Sequence, residues 1–149
     1  MSRWKPNTTV AAILEQNGRF LMVEEDTTDG RRFNQPAGHL ERGESLIEAV
    51  VRETLEETGW HFTPTALVGI YLAERPESDI SYLRFAFTGT LVRHDPSRAL
   101  DDGIIAARWL THEEIVAQQS RLRSPVVLES LHDYLQSARH PLNLLHHIR

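Results

Sequence analysis

The sequence predicts a mixed α/β (α+β) domain in which helices cover a sheet, and three observations carry that prediction. Several segments are β-branched or alternate apolar with polar residues, the period-two signature of strands. The segment between Ser45 and Gly59 instead repeats its apolar residues at helical spacing. The order along the chain, strands then a helix then more strands and two helices, is that of helices packed on a sheet. The chain has 149 residues, 40% hydrophobic and 25% charged, enough for one core. No linker, repeat or low-complexity tract stands out, so a single domain over residues 1–149 is expected.

Thr8 to Leu14 reads as a strand, Asn17-Gly18 as a hairpin turn, and Arg19 to Glu24 as the return strand. Glu24 to Arg32 is polar and charged and is expected to be a surface loop. Phe33 to Gln35 is extended, because Pro36 disfavours helical geometry in the residue before it. Ser45 and Glu48 form a capping box that opens a helix, and Gly59 closes it after Thr58. On that helix Leu46, Ile47, Val50, Val51 and Thr54 make one apolar arc. Thr65 to Ala73 reads as a strand. So does Ile80 to Leu91, with Leu83, Phe85 and Phe87 on one face and Tyr82, Arg84 and Ala86 on the other. Ile104 to Leu110 is a further strand. Thr111 with Glu114 caps a helix running to about Gln119. Ser124-Pro125 opens a last helix that aligns Leu128, Leu131 and Leu135. These periodicities leave strand order, and the tail from His140 to Arg149, open.

Composition excludes several chemistries. There is no cysteine, which removes disulfide scaffolds, thiolate zinc sites and cysteine nucleophiles. Lys5 is the only lysine, so neither a lysine-bearing phosphate loop nor an interior Schiff base is available. A net charge of −5 argues against a general nucleic-acid binder. No signal-type segment is present, and the longest stretch without Asp, Glu, Lys or Arg, Thr58 to Ala73, is shorter than the ~20 residues of a membrane helix. A cytoplasmic protein with no membrane partner is expected.

The charge is concentrated. Residues 41–57 hold six acids and two bases, a net of −4, which leaves the rest of the chain near neutral at −1. Glu53, Glu56 and Glu57 lie at i, i+3 and i+4, so all three project from adjacent turns of one helix face and repel one another. Arg52 supplies one positive charge, which cannot balance three carboxylates. A hard divalent cation such as Mg²⁺ or Mn²⁺ can. The carboxylates also border the apolar arc, with Glu57 falling between Leu46 and Val50 on the helical wheel. Gly38 stands just upstream, where bare backbone can approach a ligand.

The pattern Gly38, Glu44, Arg52-Glu53, Glu56-Glu57, Gly59 resembles the Nudix box at all seven of its fixed positions. At roughly one in twenty per position, a chance match anywhere in the chain has a probability of order 10⁻⁷. Thr54 and Trp60 stand where the pattern usually has an aliphatic residue; both are packing positions. The resemblance implies a mixed β-sheet sandwiched between helices. It implies a hydrolase of organic diphosphate linkages that uses Mg²⁺ or Mn²⁺. Carried onto this chain, it makes Glu53, Glu56 and Glu57 metal ligands with the Gly38 carbonyl. Arg52 then orients the glutamates, and Glu44 fixes the loop against the helix. Water activated by metal and a carboxylate base is the implied nucleophile.

Phe33 to Glu41, Tyr82 to Phe85 and Leu122 to Pro125 together are similar to one Nudix branch. Its members are small bacterial phosphatases acting on nucleoside di- and triphosphates and on thiamine-pathway pyrophosphates, including hydroxymethylpyrimidine pyrophosphate. Among residues outside the box, Arg84 is the leading phosphate ligand, since an arginine fork matches a phosphate. Arg123 is a weaker one, and Phe33 is the preferred ring to stack a base. Asp101 or Asp102 is a base or extra metal ligand, or else part of an Asp-Asp-Gly turn. The expected partner is a small-molecule di- or triphosphate, with no stable nucleic-acid partner and a monomeric or homodimeric protein. Rival readings are hydrolysis of ADP-ribose, of dinucleoside polyphosphates or of RNA 5′ ends, or a nucleotide-binding module without turnover. An isopentenyl diphosphate isomerase would need a cysteine.

Overall fold

The structure, a computed structural model, describes residues 2–149; Met1, first residue of the segment expected to carry no targeting signal, lies outside the described residues. Among the described residues eight strands and three α-helices follow one another. They are β1 (Asn7–Ala12), β2 (Glu15–Gln16), β3 (Arg19–Thr27), β4 (Gly30–Asn34), β5 (Ala37–His39), α1 (Leu46–Thr58), β6 (Trp60–Glu74), β7 (Ser81–His94), β8 (Ile104–Thr111), α2 (His112–Ala117) and α3 (Val126–Leu135). Short 3₁₀ turns occupy Gln119–Arg121 and Leu142–Leu144.

The strands divide into two four-stranded sheets. The first has the order β5-β1-β7-β6, with β1 parallel to β7 and the other pairs antiparallel. In the second, β3 carries β8 along one edge and β2 and β4 along the other. Two core clusters result. One joins Val10, Ala12, Leu21 and Phe87 to Ala49 and Val50 of α1. The other joins Ile13, Phe20, Met22 and Ala86 to Ile115 of α2 and to Val127 and Leu131 of α3. Each sheet gives one face to each cluster, so the sheets lie between α1 on one side and α2 with α3 on the other.

Several elements depart from their expected limits. The expected loop Glu24 to Arg32 is a hairpin: β3 runs on to Thr27 and turns back through Gly30, whose φ is +94°. Its pairs Glu25↔Arg32 and Asp26↔Arg31 set opposite charges across the strands, so a charged sequence there suits an exposed hairpin. β6 starts at Trp60 and passes through Pro64, because it is an edge strand with bulges around that residue and no ladder bond is lost. The last helix buries Val127, Ser130 and Leu131, while Leu135 is 42% exposed; the aligned leucines are thus only partly its core face. Among the described residues no helix is long and apolar enough to cross a membrane.

α1 is fixed at both ends. Ser45 Oγ accepts the Glu48 N–H at 3.0 Å, and the Glu48 carboxylate accepts the Ser45 N–H at 2.8 Å. Gly59 is left-handed at φ 77° and donates to the Leu55 carbonyl at 2.9 Å. Its carbonyl accepts the Asp95 N–H at 2.8 Å, and a Cβ at this position would crowd the Asp95 backbone. Trp60, one of the two unusual box positions, stacks on His94 at 4.9 Å and meets Trp109 edge-on at 5.8 Å. Thr54, the other, is fully buried and its hydroxyl has no hydrogen-bond partner. A buried hydroxyl without a partner costs on the order of 1–3 kcal/mol. Thr54→Val, which keeps the shape and removes the hydroxyl, is expected to raise stability by about 1 kcal/mol in urea unfolding.

Candidate functional site

The core contacts of Ala49, Val50 and Thr54 set the rotation of α1. That rotation turns Glu53 and Glu57 toward β5, which hydrogen-bonds to β1 with Gly38 opposite Val10. Glu57 is 7% exposed, and its Oε1 accepts the Ala37 N–H at 2.9 Å. Glu53 lies so close to Gly38 that any Cβ there would collide with its carboxyl.

Arg52 gathers the acids. Its Nε and Nη2 fork onto Glu44 at 2.9 and 2.6 Å, and its Nη1 reaches Glu53 and Glu56, each at 2.8 Å. Nη2 also donates to the His39 carbonyl at 3.1 Å. The Arg52 hydrogen bonds hold the Glu44 carboxyl below its ordinary range, and its own guanidinium is kept firmly cationic chiefly by Glu44. Glu44 in turn accepts the Glu41 N–H at 2.8 Å, which ties the loop to the helix.

Arg52 forms no ion pair with Glu57. Burial, together with repulsion from Glu25, Glu53 and Asp101, pushes the Glu57 carboxyl up to about 9 despite the Ala37 hydrogen bond. Burial likewise raises Glu53 and Asp101. Asp101 reaches this group because its backbone N–H donates to the Glu56 carbonyl at 3.0 Å. Asp102 is exposed in the turn before β8. Among the described residues no three His, Asp or Glu side chains stand converged as a metal cage; Arg52 holds Glu53 and Glu56 toward itself. The donor set still fits a hard cation. It is all oxygen, burial leaves the ionised forms of Glu53 and Glu57 without the counter-charge that a cation supplies, and Gly38 lets the Glu53 carboxyl lie against bare backbone.

Glu53 and Glu57 line a cleft of about 800 Å³. Arg84 lies on its floor, 7% exposed, in register with Thr9 of β1 and Tyr71 of β6. Its Nη2 donates to Gln35 Oε1 at 2.6 Å and Asn34 Oδ1 at 3.2 Å, while its Nε has no partner. Burial lowers the guanidinium to about 10, against attraction from Glu25 and Glu57, so it stays charged at neutral pH. Arg123 also lines the cleft and pairs with Glu25 at 3.1 Å.

Phe33 departs from expectation. It is 8% exposed, packs in the second core cluster and does not line the cleft, so its ring is not placed to stack a base. The hairpin continuing past Glu24 puts Phe33 in β4 with its side chain inward. Glu25, Asn34 and Gln35 belong to the site and were not singled out by the sequence reading. The available signals were a second acid directly after the apolar run of β3, and two amides directly before Pro36.

The model of the Nudix domain matches residues 4–131. The phosphatase NudJ of Escherichia coli strain K12 is 40% identical over 142 residues, which cover 95% of this chain and 92% of that protein. A solved Nudix hydrolase from Nitrosomonas europaea is 47% identical, with a TM-score of 0.93, over 97% of this chain and 98% of that one. A MutT protein from Methanosarcina mazei Go1 shares the fold at 24% identity and a TM-score of 0.73, over 93% of this chain and 100% of that one.

The raised Glu57 carboxyl makes stability depend on pH. Between its ordinary value of 4.5 and about 9 the folded protein keeps a proton that the unfolded chain has released. Stability of the metal-free protein therefore falls as pH rises through that window. Thermal melts in EDTA are expected to lose several degrees from pH 5 to pH 9. Glu57→Gln, which keeps the acceptor for Ala37, flattens most of that slope; Glu25, Glu53 and Asp101, shifted in the same direction, retain the remainder.

Proposed function

The chain belongs to the Nudix hydrolase family, and from that premise we propose that it hydrolyses phosphoanhydride bonds in nucleoside di- and triphosphates or thiamine-pathway pyrophosphates, hydroxymethylpyrimidine pyrophosphate among them, with Mg²⁺ or Mn²⁺ as cofactor. The observation that carries this reading is the pairing, in one cleft, of a carboxylate cluster at Glu53 and Glu57 with the buried cation of Arg84. A diphosphate presents dense negative charge at one end and an organic group at the other. It matches a site that has cation-binding acids and a fixed guanidinium a short distance apart.

In this reading Glu53, Glu56 and Glu57, with the Gly38 carbonyl, hold the metal. When bound, the metal screens the phosphate charge and makes water a better nucleophile. Arg52 keeps Glu53 and Glu56 in place, and Glu44 keeps Arg52 in place. Arg84 orients the phosphate chain. Arg123 also lines the cleft, where release from Glu25 frees it for substrate. Asp101 is the better placed of the two loop aspartates for a base or further ligand, because its loop is hydrogen-bonded to α1. The NudJ phosphatase of E. coli supports the choice of phosphatase chemistry. The same reading takes residues 1–149 as one domain of a cytoplasmic protein, monomeric or homodimeric, acting on small molecules and not on nucleic acid.

The test is a screen for orthophosphate and pyrophosphate release with Mg²⁺ over nucleoside di- and triphosphates, hydroxymethylpyrimidine pyrophosphate, thiamine diphosphate and ADP-ribose. Orthophosphate from terminal positions is expected; cleavage of ADP-ribose alone overturns the substrate class. Glu57→Gln is expected to lower Mg²⁺-dependent release on the order of 100-fold or more while the protein stays folded. Unchanged turnover in that variant removes Glu57 from the metal site.

A further inference from the structure

Arg84 is a buried cation without an anionic partner. Placing a guanidinium in the interior costs several kcal/mol unless a carboxylate compensates it. No carboxylate of the described residues lies within ion-pairing distance of Arg84. Glu25 and Glu57 act on it only through space. Its two hydrogen-bond partners, Asn34 and Gln35, are neutral amides, and its buried Nε is left unbonded.

The orientation of Gln35 is fixed by its other end. Its Nε2 donates to the Val127 carbonyl in the first turn of α3 at 2.9 Å. Only its oxygen can then face the guanidinium, since a reversed amide would oppose donor to donor and carbonyl to carbonyl. Gln35 is 1% exposed and Asn34 7% exposed, so both are held by packing as well as by hydrogen bonds. A carboxylate at either place would bind the arginine more strongly, because such bonds are charge-assisted. It would also cancel the charge. The amides supply the geometry of an ion pair without its neutralisation.

We propose that Asn34 and Gln35 are positioning residues, a charge-neutral cradle that fixes Arg84 against α3 and reserves its positive charge for a phosphate group entering the cleft, so that this end of the site binds anions without metal. The proposal rests on the reading of the cleft as a diphosphate site. It differs from a packing role for Arg84 in one measurable respect. If the three side chains merely fill the interior, exchanging an amide for an acid completes a buried ion pair and leaves ligand binding untouched. If they form a cradle, the same exchange preserves the fold and removes the anion site.

The test titrates inorganic pyrophosphate into the 149-residue chain in EDTA by calorimetry, alongside thermal melts and steady-state kinetics with Mg²⁺. Asn34→Asp and Gln35→Glu are expected to weaken metal-free pyrophosphate binding by about tenfold or more. Their melting temperature should stay level or rise in Asn34→Asp. KM should increase by a similar factor, with kcat changed less than about threefold. Gln35→Met, which adds no charge but releases the guanidinium, should also weaken binding. If Gln35→Glu does not fold, because its second oxygen meets the Val127 carbonyl, Asn34→Asp still decides the matter. Binding within about twofold of wild type in folded Asn34→Asp overturns the proposal. So does a loss of binding that merely follows a loss of stability in both acidic variants. Wild-type protein that releases phosphate with Mg²⁺ but binds no pyrophosphate in EDTA overturns the cradle and leaves the hydrolase reading standing. Protein that binds pyrophosphate in EDTA but turns nothing over keeps the cradle and overturns the hydrolase.

Discussion

The architecture of the cleft depends on the guanidinium of Arg52. One planar cation with five donors holds Glu44, Glu53 and Glu56 and the carbonyl of His39. These groups come from the loop after β5, from two turns of α1 and from the end of β5 itself. Without that cation, these three carboxylates would repel one another, and the loop would lose its tie to the helix. A lysine could not replace it, since a point charge cannot fork onto Glu44 while reaching two more acids. Glu57 is the one acid of the group left outside this arrangement, and it bears the largest upward shift. The structure therefore separates two kinds of glutamate: those paired with Arg52, and one buried against backbone that keeps its proton at neutral pH in the absence of metal.

How much of this is legible in the sequence follows from which interactions are local. The helix limits are readable because capping is decided within four residues, as at Ser45 with Glu48 and at Gly59. The box residues are readable because helix periodicity fixes which side chains share a face. The division into two sheets is not readable, since pairing β1 with β7 joins residues more than 70 positions apart. The same holds for the site beyond the helix. Arg84 stands out as a charge on an alternating strand, but its partners Asn34 and Gln35 lie about 50 positions away. Glu25 was hidden by its neighbours. A polar run from Glu24 reads as a surface loop, whereas cross-strand pairs of opposite charge allow the same residues to form a hairpin. Phe33 illustrates the reverse error: adjacency to the box suggested the substrate, and the inward face of β4 took the ring into the core.

The cleft treats charge in two ways, at its acids and at Arg84. The acidic group concentrates most of the net charge of the chain in one loop and helix, then pairs part of it with Arg52. At Arg84 a cation is buried among amides. Both arrangements cost folding free energy, and both are carried by a core in which residues such as Phe87, Leu21 and Val50 are almost wholly removed from water. The unpaired hydroxyl of Thr54 shows that even the packed side of α1 is not optimised for stability.

The attachment of α1 at both ends has a consequence for how this chain can change. Its thirteen residues run between a side-chain cap at Ser45 and a left-handed glycine docked on the backbone of Asp95. Each residue inserted or removed between those two points would turn everything beyond it by about 100° and shift it by about 1.5 Å. An insertion before Glu53 would carry Glu53 and Glu57 out of the cleft and Thr54 out of the core together. Substitutions within the helix can accumulate singly, whereas its length cannot drift by one.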